Sequence, residues 1–273
     1  MLRVGFIGLG SQGGPMARRI VEEGYPLTLW ARRPESVAPF ADTSAAVAPT
    51  PAELGAASDL VGVCVTADAD VEDVLTRPDG VLAGMAPGGI VAIHSTVHPD
   101  TCRRLADQAA ARGITVVDAP VSGGGMAAAE RRLLVMAGGD EDTVARCRPV
   151  FETFGNPILH LGGLGSGQLA KALNNLVFTA QVAVALDTFS FADGLGIDRA
   201  ALAEVLAHGS GGSRAAAILA RSGFDLTGLR QAAHLLRKDV DIALDLARAG
   251  GAPGPTVLAD LANTVLKTLE HTR

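Results

Sequence analysis

The sequence predicts an α/β protein, with a doubly wound parallel sheet in its N-terminal part and an all-helical region after it. Through the first 160 residues, short β-branched runs alternate with alanine-rich helical stretches. After about residue 164 the strand-like runs stop, while helical spacing continues to the end of the chain. Strands that alternate with helices imply crossover connections and hence a parallel sheet. We therefore expect two domains, at residues 1–163 and 164–273.

Short apolar runs mark the predicted strands of the first domain. Several are continuously apolar, which is typical of a parallel sheet covered by helices on both faces. The predicted strands are 2–7, 27–30, 60–65, 90–93, 114–117, 133–136 and 158–161.

A long helix is predicted from Gly167 to about Leu195, because this stretch has no proline and no further glycine before Gly194. It would be roughly 44 Å long. Its segment 177–191 is apolar on nearly every side and needs cover all round. A small helical domain supplies little cover, so we expect a homodimer or higher homo-oligomer through this domain. Further helices are predicted at 198–208, 213–221, 229–249 and 254–270.

Composition excludes several classes of function. The chain is 48% hydrophobic and 19% charged, with a formal net charge of −6, which argues against nucleic acid or an anionic membrane as partner. It lacks a run of 18 apolar residues, and its first residues read as a strand rather than a signal peptide. Three widely spaced cysteines, Cys64, Cys102 and Cys147, fit a reducing cytoplasm and predict no metal site.

A glycine-rich turn joins the first predicted strand to the helix that follows it. The turn has the form GxGxxG and reads Gly8-Leu9-Gly10-Ser11-Gln12-Gly13. In this context the first glycine permits the tight turn, the second lets the backbone approach a pyrophosphate, and the third allows close packing of helix on strand. The phosphates would lie at the helix N-terminus. The pattern predicts a dinucleotide-binding Rossmann domain, with these six residues as cofactor contacts.

The end of the second strand indicates which dinucleotide is bound. An NAD site usually has an acidic residue here that accepts a hydrogen bond from the ribose 2′-OH. This chain instead has Arg32 and Arg33, whose guanidinium groups suit a 2′-phosphate. We therefore predict a preference for NADP(H), with NAD(H) as the alternative cofactor. The competing interpretation makes one or both arginines solvated loop residues.

Two further motifs carry groups suited to binding or chemistry. The run 118–125 follows a predicted strand and contains Ser122-Gly123-Gly124, whose unshielded backbone N–H groups suit a carboxylate. At the start of the long helix, Lys171 is followed by Asn174 and Asn175 at i+3 and i+4, so the ammonium and both amides share one helix face.

Lysine is rare in this chain, which makes each lysine a candidate for special chemistry. Of the 23 basic residues, only Lys171, Lys238 and Lys267 are lysines. Lysine can lose its proton when buried, whereas arginine cannot. Lys238 is followed directly by Asp239 in a predicted helix.

Four sequence blocks together resemble the β-hydroxyacid dehydrogenase family, which includes relatives of 3-hydroxyisobutyrate dehydrogenase, tartronate semialdehyde reductase and 6-phosphogluconate dehydrogenase. The blocks are GLGxxG followed by PMA, DAPVSGG, GxGxxxKxxNN and the Lys-Asp pair, in this order across residues 1–255. The resemblance implies a Rossmann domain, an all-helical domain with a long interdomain helix, and NAD(P)-dependent oxidation of a β-hydroxyacid or reduction of its semialdehyde.

The resemblance also implies roles for individual residues. Lys171 would be the catalytic acid and base, and Asn175 would orient the substrate. Ser122, Gly123, Gly124, Asn174 and Lys238 would bind a small carboxylate substrate. Val65, Thr66, Thr96 and Lys238 would contact the cofactor. For Lys238, an ordinary ion pair with Asp239 or Asp241 is a serious rival interpretation.

Departures from the family pattern leave the substrate open. Glu130 to Leu133 read ERRL where the family usually continues toward GTL, and Ile93 and Ala31 stand where an acidic residue and an asparagine are common. One alternative is an imine reductase-like NADPH-dependent enzyme, with Asp187 as its polar residue in the long helix. Another is a dinucleotide-binding regulatory protein without turnover.

Overall fold

The chain folds into two compact units. In the computed structural model the described residues are 1–251, 254 and 256–271. The first unit spans Met1–Lys171 and the second Ala172–Arg273, so the division falls within the long helix. The predicted domain boundary at 163/164 stays a prediction.

The first unit is built on a six-stranded parallel sheet with the order β3-β2-β1-β4-β5-β6. The order reverses beside β1, which pairs with both β2 and β4, and ligands of such folds bind at the carboxyl ends of the strands there. Five of these strands coincide with predicted ones, whereas β3 is a short exposed edge strand. The strands are β1 (Val4–Ile7), β2 (Leu27–Trp30), β3 (Ala46–Val47), β4 (Leu60–Val63), β5 (Ile90–Ile93) and β6 (Thr115–Asp118).

Helices cover both faces of this sheet, as predicted for a doubly wound fold. Neighbouring residues of one strand enter different cores: Phe6 packs with Leu29 and Phe151 on one face, and Ile7 packs with Val61 on the other. The helices are α1 (Gly13–Glu22), α2 (Pro51–Ala56), α3 (Asp68–Thr76), α4 (Val81–Gly84), α5 (Pro99–Ala110), α6 (Gly124–Ala129) and α7 (Glu141–Phe151), with a 3₁₀ helix at Pro34–Phe40.

A second, three-stranded sheet lies in the first unit, and the sequence does not separate it from the main sheet. It consists of β7 (Val121–Ser122), β8 (Leu133–Ala137) and β9 (Gly155–His160), with β7 antiparallel and β9 parallel to β8. The predicted strands 133–136 and 158–161 therefore belong here. The backbone of Asp118 exchanges two hydrogen bonds with Gly138, of 3.0 and 2.7 Å, and so joins the two sheets.

The helices after residue 164 match the predicted ones closely. They are α8 (Ser166–Gly194), α9 (Arg199–His208), α10 (Arg214–Arg221), α11 (Thr227–Ala249) and α12 (Thr256–His271). The predicted last helix, 254–270, includes residue 255, which lies outside the described residues. Phe189, Leu219 and Val265 form part of one core of the second unit, and Leu176 and Leu266 part of another.

Several apolar side chains of the long helix α8 are exposed to solvent. Val177, Val184 and Phe191 are 39%, 52% and 74% exposed. By length and mean hydropathy (1.4) α8 could cross a membrane, although 44% of its most apolar window is buried. The sequence prediction used a stricter criterion, an unbroken apolar run, which α8 does not meet. The core helix of a globular protein can satisfy the same length and hydropathy test.

Candidate active site

The glycine-rich turn has the geometry that its sequence predicts. Gly8 has φ +97°, and a Cβ there would lie 2.1 Å from the Cys64 carbonyl oxygen. A Cβ at Gly13 would lie 1.9 Å from the carbonyl oxygen of Gly8, so α1 packs directly on the turn. A Cβ at Gly10 would meet no heavy atom of the described chain within 4 Å. The backbone of Gly10 therefore faces open space, as a pyrophosphate contact requires.

A cavity of about 360 Å³ adjoins this turn at the carboxyl ends of β1, β2 and β4. It brings together seven predicted cofactor contacts: Gly8, Leu9, Gly10, Arg32, Arg33, Val65 and Thr66. Of the others, Ser11 and Gln12 complete the turn, Gly13 begins α1, and Thr96 lies in the loop after β5. The cavity is also lined by residues that were not predicted as cofactor contacts, namely Ile7, Trp30, Ala31, Ser36, Cys64, Asp70 and Val74. Cys64 could have been found from its place near the carboxyl end of the predicted strand 60–65.

A carboxylate from α3 is hydrogen-bonded to Arg32, one of the two arginines that line this cavity. Arg32 Nη2 donates to Asp70 Oδ1 over 2.8 Å, and Asp73 Oδ2 lies 3.9 Å from the same nitrogen. The hydrogen bond to Asp70 raises the pKa of Arg32 above its ordinary value, so the guanidinium stays charged. The sequence has no acidic residue at the end of the second strand. Asp70 supplies one from a different element.

The first turn of α8 is held by a buried carboxylate. Asp118, which is fully buried at the end of β6, accepts hydrogen bonds from the backbone N–H groups of Gly165 (2.6 Å) and Gln168 (2.7 Å). Burial raises the pKa of Asp118, and these N–H donors oppose that shift. A carboxylate at a helix N-terminus satisfies N–H groups that lack a partner within the helix. Asp118 thereby fixes the helix end that carries Lys171.

The side chain of Gln168 ties the same turn to the loop after β5. Its Nε2 donates to the Ser95 carbonyl oxygen over 2.8 Å, and its Oε1 accepts from the Val97 N–H over 3.2 Å. The Ser95 hydroxyl oxygen in turn accepts from the Val65 N–H over 2.8 Å. Through these contacts a residue of the cofactor cavity, the loop with Thr96 and the start of α8 are connected.

Lys171 follows Gln168 by three residues, in the next turn of α8, and is only 8% exposed. Desolvation raises the pKa of the Cys64 thiol to about 12, while the positive charge of Lys171 acts to lower it. Cys64 itself lines the cofactor cavity. A nearly buried lysine beside a dinucleotide-type cavity is a candidate acid and base.

The Ser122-Gly123-Gly124 run joins the end of β7 to the start of α6. Gly123 and Gly124 have φ +137° and +75°, conformations that L side chains rarely adopt. A Cβ at Gly125, in the first turn of α6, would lie 2.1 Å from the Ser11 carbonyl oxygen. The residue that directly follows the predicted carboxylate-binding run thus lies against the predicted pyrophosphate turn.

In the second unit, polar side chains of α8 and α11 form a hydrogen-bonded chain. Asn174 Nδ2 donates to Asn175 Oδ1 over 2.9 Å, and Asn175 Nδ2 donates to Asp239 Oδ2 over 2.5 Å. Lys238 Nζ lies 3.0 Å from Asp239 Oδ1. Asn175 and Asp239 are buried, and Asn174 is exposed. The ion pair considered as a rival interpretation for Lys238 is thus present, and Asp239 is an additional residue that orients the Asn175 amide.

By residue type, His94 and the three cysteines are possible metal ligands or reactive groups. His94 is buried, with Nδ1 2.8 Å from the Ala119 carbonyl oxygen, and burial lowers its pKa to about 4. Cys64, Cys102 and Cys147 are free thiols. Within the described part of the chain, no group of three or more His, Cys, Asp or Glu side chains is arranged to hold a metal ion.

Two family models together match almost the whole chain. Residues 3–162 match the model described as the NAD binding domain of 6-phosphogluconate dehydrogenase. Residues 165–272 match the model described as NAD-binding of NADP-dependent 3-hydroxyisobutyrate dehydrogenase.

Named relatives and solved structures agree with these matches. The NAD-dependent L-serine dehydrogenase of Pseudomonas aeruginosa is 32% identical over 93% of this chain and 88% of its own length. The 3-hydroxyisobutyrate dehydrogenase of the same organism is 34% identical over 78% of this chain and 72% of its own. The 3-hydroxyisobutyrate dehydrogenase of Mycobacterium tuberculosis, solved with L-serine, has a TM-score of 0.86 at 29% identity, covering 99% of this chain and 94% of that one.

An imine reductase from Pseudomonas sp. shares the fold at lower similarity. Its TM-score is 0.68 at 19% identity, covering 98% of this chain and 92% of that one. At this identity the likeness concerns the fold alone.

Proposed function

Since the chain belongs to the 3-hydroxyisobutyrate dehydrogenase family of NAD(P)-dependent oxidoreductases, we propose that it transfers hydride between NADP(H) and a small β-hydroxyacid or its semialdehyde. The observation that carries the proposal is the nearly buried Lys171, three residues after Gln168, whose contacts hold the start of α8 against Asp118 and the loop after β5. Named relatives act on hydroxyacids, and two family models cover the chain from residue 3 to 272 with only a short gap.

The residues at the glycine-rich turn fit a dinucleotide. The open space at Gly10 and the N-terminus of α1 would receive the pyrophosphate, and Arg32 and Arg33 would bind the 2′-phosphate. When bound, the nicotinamide supplies or accepts the hydride. The protein then has to orient the substrate and move one proton at the reacting oxygen.

Lys171 is assigned the proton transfer. In the direction of reduction its ammonium group donates a proton to the substrate oxygen, and in oxidation the neutral amine removes the hydroxyl proton. Ser122, Gly123 and Gly124 would hold the substrate carboxylate through backbone N–H groups. The close approach of the next residue, Gly125, to Ser11 of the glycine-rich turn supports this role, since the cofactor and substrate have to lie side by side for hydride transfer.

For the second unit we propose substrate contacts at Asn174, Asn175 and Lys238, as the family motif implies. Asp239 supports the role of Asn175 by fixing the orientation of its amide. A carboxylate can only accept a hydrogen bond, so the amide nitrogen Nδ2 points toward Asp239 and the amide oxygen Oδ1 points away from it. The ion pair with Asp239 reduces the mobility of Lys238 and weakens the case for that lysine as a cofactor contact.

We further propose a cytoplasmic homodimer. The three free cysteines fit a reducing compartment. The exposed apolar side chains on α8 and the absence of any buried residue in α9, over its full range Arg199–His208, favour a second copy of this chain as the partner that covers the helical unit.

A substrate panel tests the proposed reaction. Purified protein is assayed with NADPH and NADH against short semialdehydes, and with NADP⁺ and NAD⁺ against 3-hydroxyisobutyrate, L-serine and other short β-hydroxyacids. We expect turnover with at least one acid–semialdehyde pair and a higher kcat/KM with the phosphorylated cofactor. A cyclic imine is included, because NADPH consumption on it alone would favour the imine reductase alternative. Dinucleotide binding with no turnover on any compound would favour a regulatory protein.

A further inference from the structure

The cavity that adjoins the glycine-rich turn holds opposite charges at the end where the 2′-phosphate of NADP(H) would bind. Arg32, Arg33 and Ser36 line it together with Asp70. The side chain of Asp70 is 28% exposed, against 62% for Arg32, so the carboxylate is the more enclosed partner of their 2.8 Å hydrogen bond. An acidic group therefore lies within direct reach of the cation expected to bind a phosphate.

The two aspartates in the first turn of α3 have different tasks. Asp68 Oδ1 accepts from the His98 N–H (2.9 Å) and from the Thr101 hydroxyl (2.7 Å), and so anchors α3 to α5. Asp70 instead faces the cavity and Arg32. The carboxylate of Asp70 thus lines the proposed dinucleotide cavity, whereas that of Asp68 is used to hold α3 against α5.

A carboxylate at this position affects the two cofactors in opposite directions. A 2′-phosphate carries about two negative charges at neutral pH, so Asp70 repels it and competes with it for Arg32. The 2′-OH of NAD(H) is neutral and can donate a hydrogen bond to a carboxylate, as it does in NAD-preferring sites. Both effects lower the preference for NADP(H) relative to a site that contains only the arginines.

We propose that Asp70 is a specificity-determining residue, which offsets part of the attraction of Arg32 and Arg33 for a 2′-phosphate and lets the enzyme accept NAD(H) as well. The proposal rests on the proposed dinucleotide site. It assigns to α3, and not to the end of β2, the acidic group that senses the ribose.

The natural sequence offers a direct binding assay for this idea. Trp30 is the single tryptophan of the chain and lines the same cavity, so its fluorescence reports dinucleotide binding without any substrate. The Kd values for NADP⁺ and NAD⁺ are measured for the wild type, Asp70→Asn and Asp73→Asn. Asp73 is a matched control, because it loses the same charge on the same helix, 3.9 Å from Arg32 and with Arg77 as a second partner at 3.8 Å.

We expect Asp70→Asn to raise the ratio of the NAD⁺ Kd to the NADP⁺ Kd about two- to five-fold, the factor typical of one partly exposed charge pair. Asp73→Asn should change the ratio by less. An unchanged or smaller ratio in Asp70→Asn overturns the proposal, and so does an equal rise in Asp73→Asn. The variant R32A/R33A tests separately whether these arginines bind the 2′-phosphate at all. Unchanged NADP⁺ binding in that variant would reject the arginine site, whereas weaker binding together with an unchanged ratio in Asp70→Asn would reject only the role of Asp70.

Discussion

Burial shifts the pKa of several side chains in this protein, and His94 is one of them. Its ring packs against Phe6, Phe151 and Phe154, with centroid distances of 5.3–6.1 Å, and its Nδ1 lies 2.8 Å from the Ala119 carbonyl oxygen. Burial lowers the pKa from 6.5 to about 4, so the ring is neutral in the folded protein at neutral pH. In the unfolded chain the same ring takes up a proton below its ordinary pKa.

This difference predicts a pH dependence of stability. Between about pH 6.5 and pH 4 the unfolded state binds more protons at His94 than the folded state, so the free energy of unfolding falls as pH is lowered through this window. Denaturant unfolding at pH 7 and pH 5 should show the loss, and His94→Asn should reduce it. The exposed His208 provides the control variant His208→Asn. An equal pH dependence in wild type and His94→Asn would contradict the assignment.

At the scale of elements, the start of α8 connects the proposed catalytic residue Lys171 to the loops at the ends of the strands β5 and β6. Asp118 at the end of β6 and Gln168 in the first turn hold the helix end against two strand-end loops. Because the lysine follows Gln168 by three residues on the same helix, any shift of this turn moves Lys171 as well.

The variant Gln168→Leu tests this coupling. It keeps the size of the side chain but leaves the buried Ser95 carbonyl oxygen and Val97 N–H without their partner. We expect a loss of about 2 kcal/mol in the free energy of unfolding and a lower kcat with little change in cofactor Kd. Gln181→Leu, in the same helix, is the control. A normal kcat in a destabilised Gln168→Leu protein would show that Gln168 is structural only.

Elements with a strong local pattern could be predicted from the sequence, and those fixed by distant contacts could not. The central strands are apolar on both faces, and α8 has no helix breaker, so both were predicted almost to the residue. The strands β3 and β7 have two residues each and carry no periodic signal. Asp70 joins the cofactor cavity through a contact with a residue 38 positions away, which no motif near Arg32 reveals.

For the whole molecule, the exposed apolar side chains of the helical unit predict self-association. Val184 and Phe191 lie seven residues apart on α8 and are more than half exposed. Light scattering at micromolar concentration should give about twice the mass of the 27.8 kDa chain or more. The double variant V184E/F191E should shift the mass toward the monomer, whereas Val47→Glu, an exposed apolar site of the first unit, should not. A wild-type monomer would contradict the dimer proposal.

The proposed reaction depends on Lys171, and kcat of Lys171→Ala with the best substrate of the panel tests it most directly. Lys267, exposed on α12, provides the control variant Lys267→Ala. Loss of a general acid and base typically lowers the rate by 10²–10⁴-fold. We predict a fall of about 100-fold or more in kcat for Lys171→Ala, with nearly unchanged dinucleotide Kd and a wild-type rate for Lys267→Ala. A Lys171→Ala enzyme that keeps most of its kcat would contradict the proposed mechanism.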